Sequence, residues 1–118
     1  MTTRPVFRAG DIVRGIAAAI LIAASGVVVA VPVRAETIRI EVKALAFLPP
    51  QVTAHIGDTV EWANADFVAH TATSKDHQFD VSLPANKSGK TVLKKAGTID
   101  YFCRFHPNMT GQITVEAK

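Results

Sequence analysis

The sequence predicts an all-β protein, an antiparallel sandwich of about seven short strands, over residues 36–118. Three observations predict it. After position 35 the apolar residues recur with period two and never with period 3.6. Turn-forming residues punctuate that pattern at close intervals: Pro49-Pro50, Gly57-Asp58, Gly97 and Gly111. No stretch in this part carries helical spacing, so the short strands must bury their apolar faces against one another.

The first strand is the clearest. Ile38, Ile40 and Val42 alternate with Thr37, Arg39, Glu41 and Lys43, the signature of a half-buried strand. Leu48-Pro49-Pro50 interrupts the chain, and Val52 to Ile56 forms a short strand before the Gly57-Asp58 turn. Thr59 to Trp62 follows, with Val60 and Trp62 pointing inward, and then Val68 to Thr73. Lys75 to Ser88 is polar and rich in turn residues, anchored inward by Phe79, Val81 and Leu83. Thr91–Lys94, Thr98–Cys103 and Gln112–Glu116 complete the set, with Gly97 and Gly111 marking turns.

Residues 1–35 have a different character. A positively charged stretch, Met1 to Arg14, leads into a nearly continuous apolar run from Gly15 to Val33. It closes on Val33-Arg34-Ala35, which puts apolar or small residues where a signal peptidase reads. The expectation is an export signal cleaved to leave a periplasmic mature chain from Glu36. The alternative is an uncleaved membrane anchor, since the run approaches the roughly 20 residues needed for one span. Arg4 and Arg8 are not adjacent, so no twin-arginine signature is present.

Charge excludes a nucleic-acid surface. The net charge is +3, from 13 Lys and Arg against 10 Asp and Glu. Four of those arginines and one acid lie in the first 35 residues, leaving nine of each sign on the folded part. A groove for a polyanion needs a surplus there. The lysines at 87, 90, 94 and 95 read as a solvated face.

One cysteine, Cys103, leaves no intramolecular disulfide. A lone thiol in an exported protein is open to oxidation unless it is buried or ligated to a metal. Its neighbourhood favours a metal. The run Tyr101-Phe102-Cys103-Arg104-Phe105-His106-Pro107-Asn108-Met109 offers a thiolate, an imidazole and a thioether at three-residue steps between two strands. Thiolate and thioether are soft donors and imidazole suits copper; two His and one Cys with a weak axial Met is the arrangement of blue-copper electron-transfer sites. Zinc would want four strong ligands, and a c-type haem would want Cys-x-x-Cys-His. The second imidazole must come from His55, His70 or His77, and His70, within an inferred strand, is the best placed. His55 and His77 fit surface positions.

The chain resembles the cupredoxins, and among them the amicyanin-like and pseudoazurin-like small blue-copper proteins. Trp62, Asn64, Asp66, His70-Thr71, Gly97-Thr98, Tyr101-Phe102-Cys103, His106-Pro107-Asn108-Met109 and Gly111 carry the resemblance over nearly the whole mature chain. The short Cys-x-x-His-x-x-Met loop is more similar to amicyanin than to azurin. The resemblance implies a Greek-key sandwich and one type 1 copper held by His70, Cys103, His106 and Met109. It also implies that His106 lies near the surface where electrons enter and leave. One departure concerns the residue after the first histidine. Amicyanins have Asn there, bracing the cysteine loop, whereas this chain has Thr71, with a shorter reach.

The expected function is a monomeric one-electron carrier between redox proteins, docking near His106, and not an enzyme, because protein donors fill the metal's positions. Phe67, Phe105 and Pro107 either shield the metal or form an apolar docking patch. The alternative from another class is a periplasmic copper carrier or chaperone that hands over metal rather than electrons.

Overall fold

The computed structural model describes residues 26–30 and 34–117. The chain divides into two units, Met1–Pro32 and Val33–Lys118. Most of the expected export signal lies outside the described residues. Among the described residues no helix is long and apolar enough to cross a membrane.

Nine strands occupy the second unit: β1 (Thr37–Lys43), β2 (Ala46–Leu48), β3 (Gln51–His55), β4 (Thr59–Asn64), β5 (His70–Ser74), β6 (Asp80–Leu83), β7 (Ser88–Val92), β8 (Gly97–Phe102) and β9 (Thr110–Glu116). They form two sheets, ordered β2-β1-β4-β7 and β3-β9-β8-β5-β6. The expected sandwich is therefore present, with two differences. It has nine strands rather than about seven, because β2 and β6 are separate elements only three and four residues long. Its sheets are mixed rather than purely antiparallel: β1 runs parallel to β4, and β3 parallel to β9.

The alternation read from the sequence decides which side chains meet. Ile40 and Val42 of β1 lie beside Trp62 and Asn64 of β4, and all four are buried. Phe47, Trp62, Phe79 and Tyr101 form an aromatic cluster with ring centroids 4.7–6.2 Å apart and tilted or edge-on geometry. The rings use most of the interior of a small domain, so each one weighs heavily in its stability.

Gly111 lies inside β9 and does not mark a turn. It stands opposite Tyr101 in the β8–β9 register, and a Cβ there would collide with the Tyr101 ring. The absent side chain makes room for the phenol. Burial pushes the Tyr101 hydroxyl up to about 12, with the nearby Trp62 indole opposing weakly. Neither polar atom makes a well-formed hydrogen bond.

β1 and β2 are joined by Ala44-Leu45, both with positive φ, 53° and 60°. Consecutive left-handed residues suit the twist of a two-residue hairpin, but side chains other than Gly or Asn adopt them at a cost. Asp66, in the β4–β5 loop, offsets that cost by accepting the N–H groups of Ala44 at 2.8 Å and Leu45 at 3.2 Å. That loop is itself fixed by buried Asn64. The Asn64 Nδ2 donates to the carbonyls of Val68, Leu83 and Pro84, and its Oδ1 accepts the Asp66 N–H at 2.9 Å.

Candidate metal centre

His70 opens β5, Cys103 follows directly on β8, and His106 and Met109 lie in the loop that leads to β9. Pairing of β5 with β8 brings the first two together, with Thr73 opposite Phe102. The loop turns back tightly. Cys103 N–H donates to Met109 O at 3.0 Å, His106 N–H to Cys103 O at 3.2 Å, and Met109 N–H to His106 O at 2.8 Å. These bonds satisfy the backbone locally and hold the loop's donors close together.

The sulfur of Cys103 lies 3.6 Å from His70 Nδ1 and 3.7 Å from His106 Nδ1. The three ligand atoms all fall within 4.8 Å of one another. Metal–nitrogen and metal–sulfur bonds run roughly 2.0–2.3 Å. Three such donors around one ion in a plane would stand about 3.5–4 Å apart, so the observed spacing fits a shared ion. Cys103 and His70 are fully buried, Met109 is 4% exposed, and His106 is half-buried. A buried soft sulfur with two imidazole nitrogens and an adjacent thioether residue suits copper better than the harder divalent ions.

His70 is oriented from behind. Its Nε2 donates to Asp66 Oδ2 at 2.8 Å, which fixes the proton on that nitrogen and leaves Nδ1 with a lone pair toward the sulfur. Burial pushes the Asp66 carboxyl up. The Ala44 N–H, the His70 ring and the Leu45 N–H outweigh it and hold the group below its usual value. Asp66 belongs to the sequence pattern singled out above, but its role required the fold: the four-residue spacing to His70 does not reveal a loop that doubles back.

Thr71 compensates for the missing asparagine more fully than its short side chain suggests. Its backbone N–H donates to Cys103 Sγ at 3.4 Å, and its hydroxyl accepts the Arg104 N–H at 2.9 Å. The cysteine loop is thus braced at this position, with a hydroxyl as acceptor.

The other two histidines lie outside the cluster. His55 is half-exposed at the end of β3, 3.4 Å from Glu116, and His77 sits at the surface in the β5–β6 turn with φ 65°. Around His106 the surface is mostly apolar, with exposed Asn108 as its polar member. Leu45, Phe105, Pro107 and Met109 line a cleft with it, and Leu45 and Phe105 are 52% and 56% exposed. Phe67, in the loop that leads to His70, is 90% exposed.

Residues 15–115 match the Cupredoxin-like domain family. Over 95 residues the chain is 30% identical to the amicyanin of Paracoccus versutus, covering 75% of this chain and 72% of that protein. Its fold is similar to that of a reduced amicyanin mutant at 26% identity, with a TM-score of 0.60 and coverage of 68% of this chain and 82% of that one. It is also similar to a purple cupredoxin from Nitrosopumilus maritimus at 26% identity and a TM-score of 0.62, covering 67% of this chain and 99% of that one.

Proposed function

Because the chain belongs to the cupredoxins and is amicyanin-like, we propose that it is an exported one-electron carrier whose single copper is held by His70, Cys103, His106 and Met109. The spacing of the two Nδ1 atoms around the buried Cys103 sulfur carries this reading. Copper supplies the one-electron couple, Cu(I)/Cu(II), and the protein supplies rigidity. Asp66 keeps the His70 ring in one tautomer and one orientation. The closed Cys103–Met109 loop and the Thr71 brace keep the sulfur still, so little must rearrange between oxidation states.

His106, half-buried among apolar side chains, is the exit for the electron. The partner is a redox protein with an apolar contact face, docking over Leu45, Phe105 and Pro107. The carrier acts as a monomer and has no catalytic role, since four protein donors leave no strong open position for a substrate.

Two hydrogen bonds of Glu36 support export with cleavage before it. Glu36 N–H donates to Asp58 Oδ1 at 2.9 Å, and Glu36 O accepts the Thr59 N–H at 2.8 Å. Cleavage there would turn that amide into an α-ammonium facing a carboxylate that is 4% exposed.

The test is a titration of the purified mature chain with Cu(II). The expected outcome is one equivalent bound, an intense visible copper–thiolate absorption and reversible one-electron reduction. Cys103→Ser should lose the colour. Colour retained in that variant sinks the ligand assignment, and rapid loss of metal to a weak chelator without electron exchange would favour a copper carrier instead.

A further inference from the structure

Arg104, the residue after Cys103, is tied down at two points, and the ties close into a ring. Its backbone N–H donates to Thr71 Oγ1 at 2.9 Å, and its Nε donates to Asp80 Oδ1 at 3.2 Å. Between those two acceptors run two further bonds. Thr71 Oγ1 and Thr73 Oγ1 are 3.0 Å apart, and the Thr73 hydroxyl donates to Asp80 Oδ1 at 2.7 Å.

A hydroxyl has one proton to give. Thr73 gives its proton to Asp80, so the proton between the two threonines belongs to Thr71. Three bonds then run head to tail, from Arg104 N–H to Thr71, from Thr71 to Thr73 and from Thr73 to the Asp80 carboxylate, while the Arg104 guanidinium donates to that same oxygen from the other side. Bonds aligned head to tail polarise one another. The Asp80 carboxyl is held below its usual value first by the Thr73 hydroxyl and then by Arg104, against the effect of burial. The ring thus has a charged acceptor at its end under ordinary conditions. An exposed Arg–Asp pair alone contributes little. Here it completes a circuit spanning β5, β6 and the cysteine loop.

Thr71 stands where the ring meets the sulfur. Its side chain is a member of the ring and its backbone N–H donates to Cys103 Sγ. We infer that Thr73, Asp80 and Arg104 are positioning residues that, through Thr71, set the N–H···S hydrogen bond to Cys103 and with it the reduction potential of the centre. The inference rests on the electron-carrier reading above. A donor aimed at the thiolate draws electron density from the sulfur and favours the reduced, less positive metal, so loosening it lowers the potential.

The experiment uses Thr73→Val, Asp80→Ala and Thr73→Ser in the mature chain. Two quantities are read: hydrogen exchange of the Thr71 and Arg104 amides in the metal-free protein, and the reduction potential with copper. Thr73→Val and Asp80→Ala should speed exchange at both amides several-fold. They should also shift the Cu(II)/Cu(I) equilibrium toward Cu(II) by up to about tenfold, which is about 59 mV for one electron. Thr73→Ser, which restores the hydroxyl, should return both toward the parent values. Unchanged amide exchange and potential in Thr73→Val overturn the proposal, as does a potential that shifts equally in Thr73→Ser. If the parent protein took up no copper the carrier reading would fail, while the amide exchange would still decide whether the ring holds Thr71.

Discussion

At Asp66 one carboxylate serves two distant parts of the chain. It receives the His70 ring and both N–H groups of the positive-φ Ala44-Leu45 turn. Asp66→Ala should therefore act on metal and fold together. Copper affinity is expected to fall about 10–100-fold, the usual consequence of removing a partner that orients a ligand, and competition with a chelator would measure it. Asp66→Asn retains an oxygen acceptor for the ring and should fall less; equal losses in both variants would contradict the orienting role. The candidate donors were legible as a group because chemistry restricts them: a lone thiol, one histidine three residues on and one methionine three beyond that leave few alternatives. Asp66 was legible as a residue but not as a partner, since carboxylates are common near any turn. The sequence shows only that Thr71 has a shorter reach than asparagine; its acceptor role depends on how closely the Arg104 amide approaches across the β5–β8 pair.

β8 and β9 meet where Tyr101 faces Gly111, and that pairing sets two expectations. Gly111→Ala drives a methyl group into the phenol ring and should cost about 1–3 kcal/mol by urea denaturation, as overpacking does elsewhere. An unchanged midpoint would show that the ring can move aside. The second expectation concerns alkaline pH. In the folded protein the Tyr101 hydroxyl is raised to about 12, whereas in the unfolded chain it ionises near 10. Between those values the folded state keeps a proton that the unfolded state has lost, so stability falls as pH rises. The loss should reach about 2–3 kcal/mol across the window, and Tyr101→Phe should remove this contribution. A parent protein with no decline there would contradict it. The strands carrying these residues were plain in the alternation, but β2 and β6 were not. Three or four residues give too few alternations to separate a strand from a turn, and Pro49-Pro50 hid the point where the chain passes from one sheet to the other. Alternation also reports which face is buried and says nothing of a neighbour's direction, so the parallel β1–β4 and β3–β9 pairs were out of reach.

Within the folded domain, the sandwich places the start of β5 and the loop after β8 around the same buried sulfur. Residues 70 and 103, far apart in sequence, become neighbours through β5–β8 pairing. The start of the folded chain supplies a further expectation. A protein beginning at Glu36 with a free amino group should be about 1 kcal/mol more stable than the same chain N-acetylated, measured by thermal unfolding below the α-amino range of about 8. Asp58→Asn should erase the difference, and a difference that survived it would place the effect elsewhere. On the exported reading this contact also bears on biogenesis. If cleavage falls before Glu36, the uncleaved precursor would offer Asp58 only a neutral amide at that position and would fold less firmly during the interval in which a translocation channel must thread it. Removal of the leader on the far side would then act as a latch, tightening the domain only after passage is complete.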